Sequence, residues 1–296
     1  MMQSIDYIYR FDPENPSAKP SPPDAAAAKQ ALEQGNRVFA QWMESCAANL
    51  PGSGPSRFVV MCNAWEMGVR QAGDAPPKPN PFAVVVGCSD PRVPTEMLFG
   101  QGFNDLFVIR VAGNVLGSEC LGSIDFALSA LRDSVRVLVV LGHSGCGAVT
   151  GAVDAYLQPP RFWSKAISPN LRAIEQRIFV AVREAANGLE QVWGADARRQ
   201  SGFREALIDA AVGINAAQAA LDLRQEVERA GIRGIEVLYG IYNLSTHRVT
   251  SPLRGDEVAG ETPSQLDYAP TNPSDFNRLA VVVAEQLLRQ RESRPG

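Results

Sequence analysis

Three stretches of the chain are apolar without alternation: FAVVVG (82–87), DLFVIRVAG (105–113) and VRVLVVLGH (135–143). A strand with one wet face alternates polar and apolar residues. An unbroken β-branched run predicts a strand covered on both faces, as in a parallel sheet. Between the second and third runs, SECLGSIDFALSALRDS (118–134) carries its apolar residues at helical spacing, and GAVTGAVDAYL (147–157) begins another helix. The order β, loop, β, α, β, α predicts a mainly parallel central sheet flanked by helices, with right-handed crossovers.

Helical patterning continues over about 170–188 and 201–230. GIEVLYGIYNL (234–244) then predicts a late strand that pairs with HRVTS in a hairpin, and NPSDFNRLAVVVAEQLLRQR (272–291) a C-terminal helix capped by Ser274 or Asp275. Upstream, Asp24 is placed to cap a helix over 24–49, an N-terminal helical arm. Its apolar positions Ala28, Leu32, Val38, Phe39, Trp42 and Met43 form one face that must dock on something, a second subunit being one choice. Gly35 interrupts that helix at modest cost. Residues 1–23, rich in proline and polar groups, predict a flexible arm with no core of its own. A Pro- and Gly-rich stretch from Pro51 to Pro81 reads as an insertion, with one short element in RFVVMCNAWEMGVRQAG. The expected organisation is the arm 1–23 followed by one α/β domain over 24–296.

Composition changes this picture little. The chain is 45% hydrophobic and 20% charged, which suits an ordinary globular domain able to bury a core without metal or disulfide support. A net charge of −4 and no basic stripe argue against nucleic acid as a partner. The strand-like apolar runs are far short of the roughly 18 residues that span a bilayer, so no membrane span is expected. The N-terminus lacks an apolar stretch behind a basic start, which points to a cytoplasmic protein. Five cysteines, an odd number, argue against a disulfide framework and leave thiols available as ligands. Cys46, Cys62 and Cys120 sit among apolar or small residues and read as packing.

Two loops carry chemistry, each directly after a buried strand, where ligands bind in open α/β sheets. The first is Gly87-Cys88-Ser89-Asp90-Pro91-Arg92 and the second Gly142-His143-Ser144-Gly145-Cys146-Gly147. Two thiolates and an imidazole suit tetrahedral zinc, and three protein ligands leave a fourth position open, the mark of a catalytic site. Cys146 opens a helix, whose dipole and free N–H groups favour its thiolate. Arg92 can hold Asp90 by two charge-assisted hydrogen bonds and keep it ionised and directed. Asp90 could instead be a fourth zinc ligand that closes the site. Taken singly, His143 could be a core residue and Asp90–Arg92 a surface ion pair worth under about 1 kcal/mol. His247, among polar residues of the hairpin, reads as exposed.

The stretch CSDPRVPTEMLFGQGFNDLFVIRVAGNVL followed by VRVLVVLGHSGCGAV closely resembles the β-class carbonic anhydrases, over about residues 82–153. GIEVLYGIYNLSTHRV resembles the family's late strand, and helix 24–49 its N-terminal helix, which embraces a partner subunit. The resemblance implies zinc on Cys88, His143 and Cys146, a catalytic dyad of Asp90 and Arg92, and interconversion of CO2 and water with bicarbonate and a proton. It also implies a homo-oligomer built from dimers. Two thiolate ligands should leave the zinc-bound water less acidic than a set richer in imidazole, so the rate should rise toward alkaline pH.

The chain departs from the family at several positions. Pro91 stands where a small residue, most often serine, is usual, and could hold the dyad open or misalign Asp90. Pro79 stands where some members carry a glutamine near the cleft. A subgroup inhibited by bicarbonate at a second site has a tryptophan where this chain has Val85. Arg110 matches that subgroup but is shared more widely, so no such regulatory site is expected. A CS2 or COS hydrolase on the same zinc site, or a zinc scaffold with impaired catalysis, are the competing functions.

Overall fold

The computed structural model describes residues 4–12, 20–48, 56–63, 77–163, 167–252, 265–272 and 274–292. In chain order these form β1 (Ile5–Phe11), α1 (Ala25–Ala48), β2 (Ser56–Cys62), β3 (Ala83–Gly87), α2 (Thr95–Leu98), β4 (Leu106–Arg110), α3 (Ser118–Ala130), β5 (Val137–His143) and α4 (Gly147–Leu157). They continue with α5 (Pro159–Phe162), α6 (Pro169–Trp193), α7 (Phe203–Arg229), β6 (Glu236–Tyr242), β7 (Val249–Thr250), β8 (Asp267–Tyr268) and α8 (Ser274–Glu292). The main sheet runs β4-β3-β5-β6-β7, with β8 also on β6. Strands β4, β3, β5 and β6 are parallel; β7 and β8 pair antiparallel with β6.

The unbroken apolar runs have a direct cause. On β3 and β5, Val84, Val86, Leu138 and Val140 face one core and Ala83, Val85, Val137, Val139 and Leu141 the other. The first core is closed by α3, α4, α6, α7 and α8, and the second by α1, α2 and β2. Every residue of β3 and β5 is buried, so neither strand has a wet face on which to alternate. The helices after α4 belong to the first core. Helix α7 is apolar and long enough to cross a membrane, but 83% of its most apolar window is buried inside the fold, which makes it a core helix.

The N-terminal arm differs from the expectation of a flexible segment. Residues 5–11 form β1, which pairs in parallel with β2 from Ile5↔Ser56 to Phe11↔Cys62. Tyr7 stacks on Phe58 at 5.2 Å and meets Trp42 of α1 edge-on at 6.4 Å, so the strand has aromatic packing of its own. The short element expected within 57–73 is β2; residues 64–76 lie outside the described residues. Residues 1–3 and 13–19 of the arm do too.

Asp24 caps α1 as expected, its Oδ1 accepting from Ala27 N at 2.8 Å. Most of the apolar face of α1 is covered within the same chain, with Ala28, Leu32 and Phe39 buried in the second core, while Val38 is exposed. Asn36 bolts it there. Its Nδ2 donates to the carbonyls of Leu98 and His247, both at 3.1 Å, and its Oδ1 accepts from Val249 N at 2.7 Å. Asn36→Leu would strand those backbone groups in the interior. Unmet buried groups cost about 1–3 kcal/mol each, so urea unfolding should show a loss of roughly 3 kcal/mol.

His247 is half-buried rather than exposed, at the tip between β6 and β7. Its Nδ1 lies 3.1 Å from Tyr242 Oη and its ring meets Phe39 edge-on, so it serves the α1 contact. At the C-terminal helix, Asp275 Oδ2 accepts from the N–H groups of Thr271 and Asn272, tying down the entry to α8.

Candidate metal centre

Strands β3 and β5 are neighbours in register, Gly87 opposite Leu141, so the loops leaving their carboxyl ends meet at one edge of the sheet. Cys88, His143 and Cys146 are brought together there. One ligand atom from each lies within 4.8 Å of the other two, and all three residues are buried. The sulfurs of Cys88 and Cys146 are 4.0 Å apart. A tetrahedral zinc at 2.3 Å from each sulfur would set them about 3.8 Å apart, so the cradle fits that ion with little movement.

His143 supplies an independent test of the fit. Its Nδ1 lies 3.0 Å from the Ser144 carbonyl, which can only accept, so Nδ1 carries the proton. Nε2 then presents a lone pair in the interior, with no hydrogen-bond partner among the described residues. A buried acceptor left open beside two thiols is what a metal ligand requires. Ser144 is itself held, its N–H donating to Tyr242 O at 3.0 Å and its Oγ accepting from Leu244 N at 3.0 Å. The turn between His143 and Cys146 passes through Gly145 at φ 63°, a conformation costly for a side chain.

Charge on the two sulfurs departs from the sequence reading. Cys146 stands at the start of α4, and the N–H groups of Ala148 and Val149 favour its thiolate. The hydrogen bond to Cys88 and burial outweigh them, and the Cys146 thiol is pushed far up. The Cys88 thiol is drawn down to about 4 by that same bond, against burial, with help from His143 and the N–H groups of Gly113 and Asp90. The two sulfurs, hydrogen-bonded to each other, share a proton. Metal binding must displace the remaining proton.

Asp90 lies beside the cradle. Arg92 grips it with Nε to Oδ1 at 2.9 Å and Nη2 to Oδ2 at 2.7 Å, and Arg92 N–H donates to Oδ1 at 2.9 Å. The bonds from the Arg92 side chain hold the carboxyl well below the usual carboxylate range, so it is ionised at any working pH. Its Oδ2 is 3.9 Å from His143 Nε2. Pro91 fits the turn that carries Asp90 and Arg92. Val93 N–H donates to Asp90 O at 3.0 Å, closing a β-turn in which Pro91 takes the second position, where its fixed φ fits and no N–H is needed. Arg110 braces the loop from β4, Nε to Cys88 O at 3.1 Å and Nη2 to Asp90 O at 2.5 Å. Cys62 and Cys120 are buried away from the cradle and Cys46 is partly exposed.

Sequence reasoning gave no role to the Ser144 carbonyl and the Gly113 N–H, which touch His143 and Cys88, or to Asn215, which donates to the Gly113 carbonyl. The first two are backbone groups, silent in the residue pattern. Asn215 had a signal: a lone amide on the buried side of an Ala-rich helix.

A mainly parallel α/β sheet with a Cys-His-Cys cradle and an Asp-Arg pair at its strand ends is the class of protein that fold and site define. The family model described as carbonic anhydrase matches residues 83–248, over half of the chain, and the chain belongs to that family, in its β class. Carbonic anhydrase 2 of Mycobacterium tuberculosis is 51% identical over 75 residues, covering 25% of this chain and 35% of that protein. Carbonic anhydrase of Synechococcus elongatus is 30% identical over 132 residues, 38% of this chain and 47% of that one. The chain thus spans about a third to a half of the length of these relatives. Among solved structures, Coccomyxa β-carbonic anhydrase in complex with acetazolamide superposes with a TM-score of 0.47 at 18% identity, covering 89% of this chain and 99% of that chain. A tetrameric β-carbonic anhydrase of Sordaria macrospora gives 0.43 at 22%, covering 58% and 80%.

Proposed function

We propose that this chain catalyses the reversible hydration of CO2 to bicarbonate and a proton, with zinc held by Cys88, His143 and Cys146. The observation that carries this reading is the Asp90 carboxylate, locked by Arg92 beside a buried three-donor cradle and outside the ligand set itself. Zinc in such a cradle supplies the Lewis acidity that makes water a nucleophile near neutral pH.

The chain's own residues do the rest. His143 keeps its proton on Nδ1 through Ser144 and so offers only Nε2. Asp90, ionised and fixed in direction, accepts a hydrogen bond from the attacking water and so turns its lone pair toward the carbon of CO2. Arg92 prevents that carboxylate from swinging into the cradle, which favours an open site over the closed form with Asp90 as fourth ligand. The buried, apolar surroundings of β3 and β5 suit a nonpolar substrate.

The test is CO2 hydration by stopped flow at about pH 7 and 8.5, on protein of assayed zinc content. Turnover at both values, faster at the higher, is the expected result. Full zinc with no turnover at either would overturn the activity and turn attention to sulfur analogues such as COS. Asp90→Asn keeps shape but loses the charge and the two-pronged grip of Arg92. It should retain zinc and lower kcat by about 10²-fold, the weight of a misplaced reacting group. We also infer an active homo-oligomer built from dimers, on the ground of family membership; light scattering at micromolar concentration checks it.

A further inference from the structure

Helix α7 packs on β5, the strand that ends at His143. Val212 and Ala216 on it lie against Gly142, the residue before His143. One position between them, Asn215, is polar, yet it is only 6% exposed. Its Nδ2 donates to the carbonyl of Gly113 at 2.9 Å. Because a carbonyl only accepts, the amide's orientation is fixed by that contact. Gly113 in turn donates its N–H to Cys88 Sγ at 3.3 Å. Three separate elements, α7, the turn after β4 and the loop after β3, are thereby joined in one chain of hydrogen bonds ending on a ligand sulfur.

Gly113 is the weak point of that chain. It sits at φ 66°, and an added Cβ would come within 3.0 Å of Ile178 and 3.1 Å of Ala148. The position must therefore be glycine, and a glycine peptide has little torsional preference of its own to hold its N–H in place. Its carbonyl needs an anchor, and Asn215 is that anchor.

We propose that Asn215 is a positioning residue of the metal centre: by holding the Gly113 carbonyl it restrains the backbone torsions of that glycine, so that the Gly113 N–H, on the preceding peptide unit, stays on the Cys88 sulfur and tempers the charge this thiolate donates. The proposal rests on the metal assignment above and deepens it. A hydrogen bond to a ligating thiolate withdraws electron density from it, so the metal becomes a stronger Lewis acid. Losing the anchor makes Cys88 the stronger donor and the metal the weaker acid.

The experiment compares the full-length protein with Asn215→Leu, which keeps the branching and removes the donor. With cobalt in place of zinc, the thiolate-to-metal charge-transfer band should move to longer wavelength in the variant. With zinc, the pH midpoint of hydration should rise by about half a unit or more, and zinc affinity should fall about 10-fold, as for other outer partners of ligands. A band and midpoint both unchanged would overturn the proposal. Should the variant fail to fold, the wild type decides. Loaded with cadmium, it should show NMR coupling between the metal nucleus and the Gly113 amide proton, and absence of that coupling overturns the role. Band and coupling are read without turnover. A shifted band in a protein that hydrates no CO2 keeps Asn215's role and sinks the activity; an unshifted band with normal turnover does the reverse. A chain that takes up none of these metals sinks both.

Discussion

Cys88→Ser is expected to empty the metal centre and remove CO2 hydration. Serine keeps the size of the side chain and the course of the loop after β3, but its hydroxyl does not ionise at working pH and is a poor zinc ligand. The site then retains an imidazole and one thiol. A complete zinc site of this kind binds with on the order of 10 kcal/mol or more, so losing one thiolate should cost several orders of magnitude in affinity. Zinc per chain should drop to below about a tenth after dialysis. Hydration should fall at least about 10³-fold, equivalent to roughly 4 kcal/mol of transition-state stabilisation. Cys120→Ser is the control. Cys120 is equally buried but lies outside the cradle, and its thiol is raised by burial alone. That variant should lose about 1–3 kcal/mol of stability from burying a hydroxyl, yet keep its zinc and its rate. If Cys88→Ser keeps full zinc and turnover, the ligand assignment is wrong.

What made this site legible is the placement of its residues. Strands β3 and β5 are buried on both faces, so their sequences are continuous apolar runs, and the residues directly beyond them are necessarily at the sheet's edge. Cys88, His143 and Cys146 could be read as a set because two such runs end next to each other. The supporting layer was less legible because much of it is backbone: the Ser144 carbonyl that sets the tautomer of His143 leaves no trace in side-chain chemistry. Cys146 shows another limit. A helix start does favour its thiolate, but a second sulfur 4.0 Å away pushes the other way, and that distance is a tertiary fact. The strand in the arm expected to be flexible has the same origin. Strand β1 is followed by a Pro-rich stretch and pairs with β2, some 50 positions on, a partner no local pattern announces.

Gly35 was the least legible residue, and Gly35→Ala should give the largest loss of stability. Read along α1, a glycine at mid-helix is a weakness, and alanine there should gain up to about 1 kcal/mol. The fold reverses that sign. A Cβ on Gly35 would lie 1.7 Å from the Phe99 carbonyl oxygen and 2.6 Å from its carbon. Carbon and oxygen ordinarily approach no closer than about 3.3 Å, so helix and chain must part by well over 1 Å. The obstacle is backbone just beyond α2 and cannot rotate away. The parting would pull Asn36 from Leu98 and His247 and loosen Leu32 and Phe39 from the second core. Overpacking usually costs about 1–3 kcal/mol, and against an immovable carbonyl the upper end or beyond is expected. Gly122→Ala on α3 is the matched comparison, since nothing lies within 4 Å of a Cβ there. Urea unfolding should show Gly122→Ala neutral to about 1 kcal/mol more stable and Gly35→Ala about 3 kcal/mol or more less stable, with an altered Trp42 emission as α1 shifts. Two variants that move together would mean that helix propensity alone governs both sites, and that α1 does not rest on Phe99.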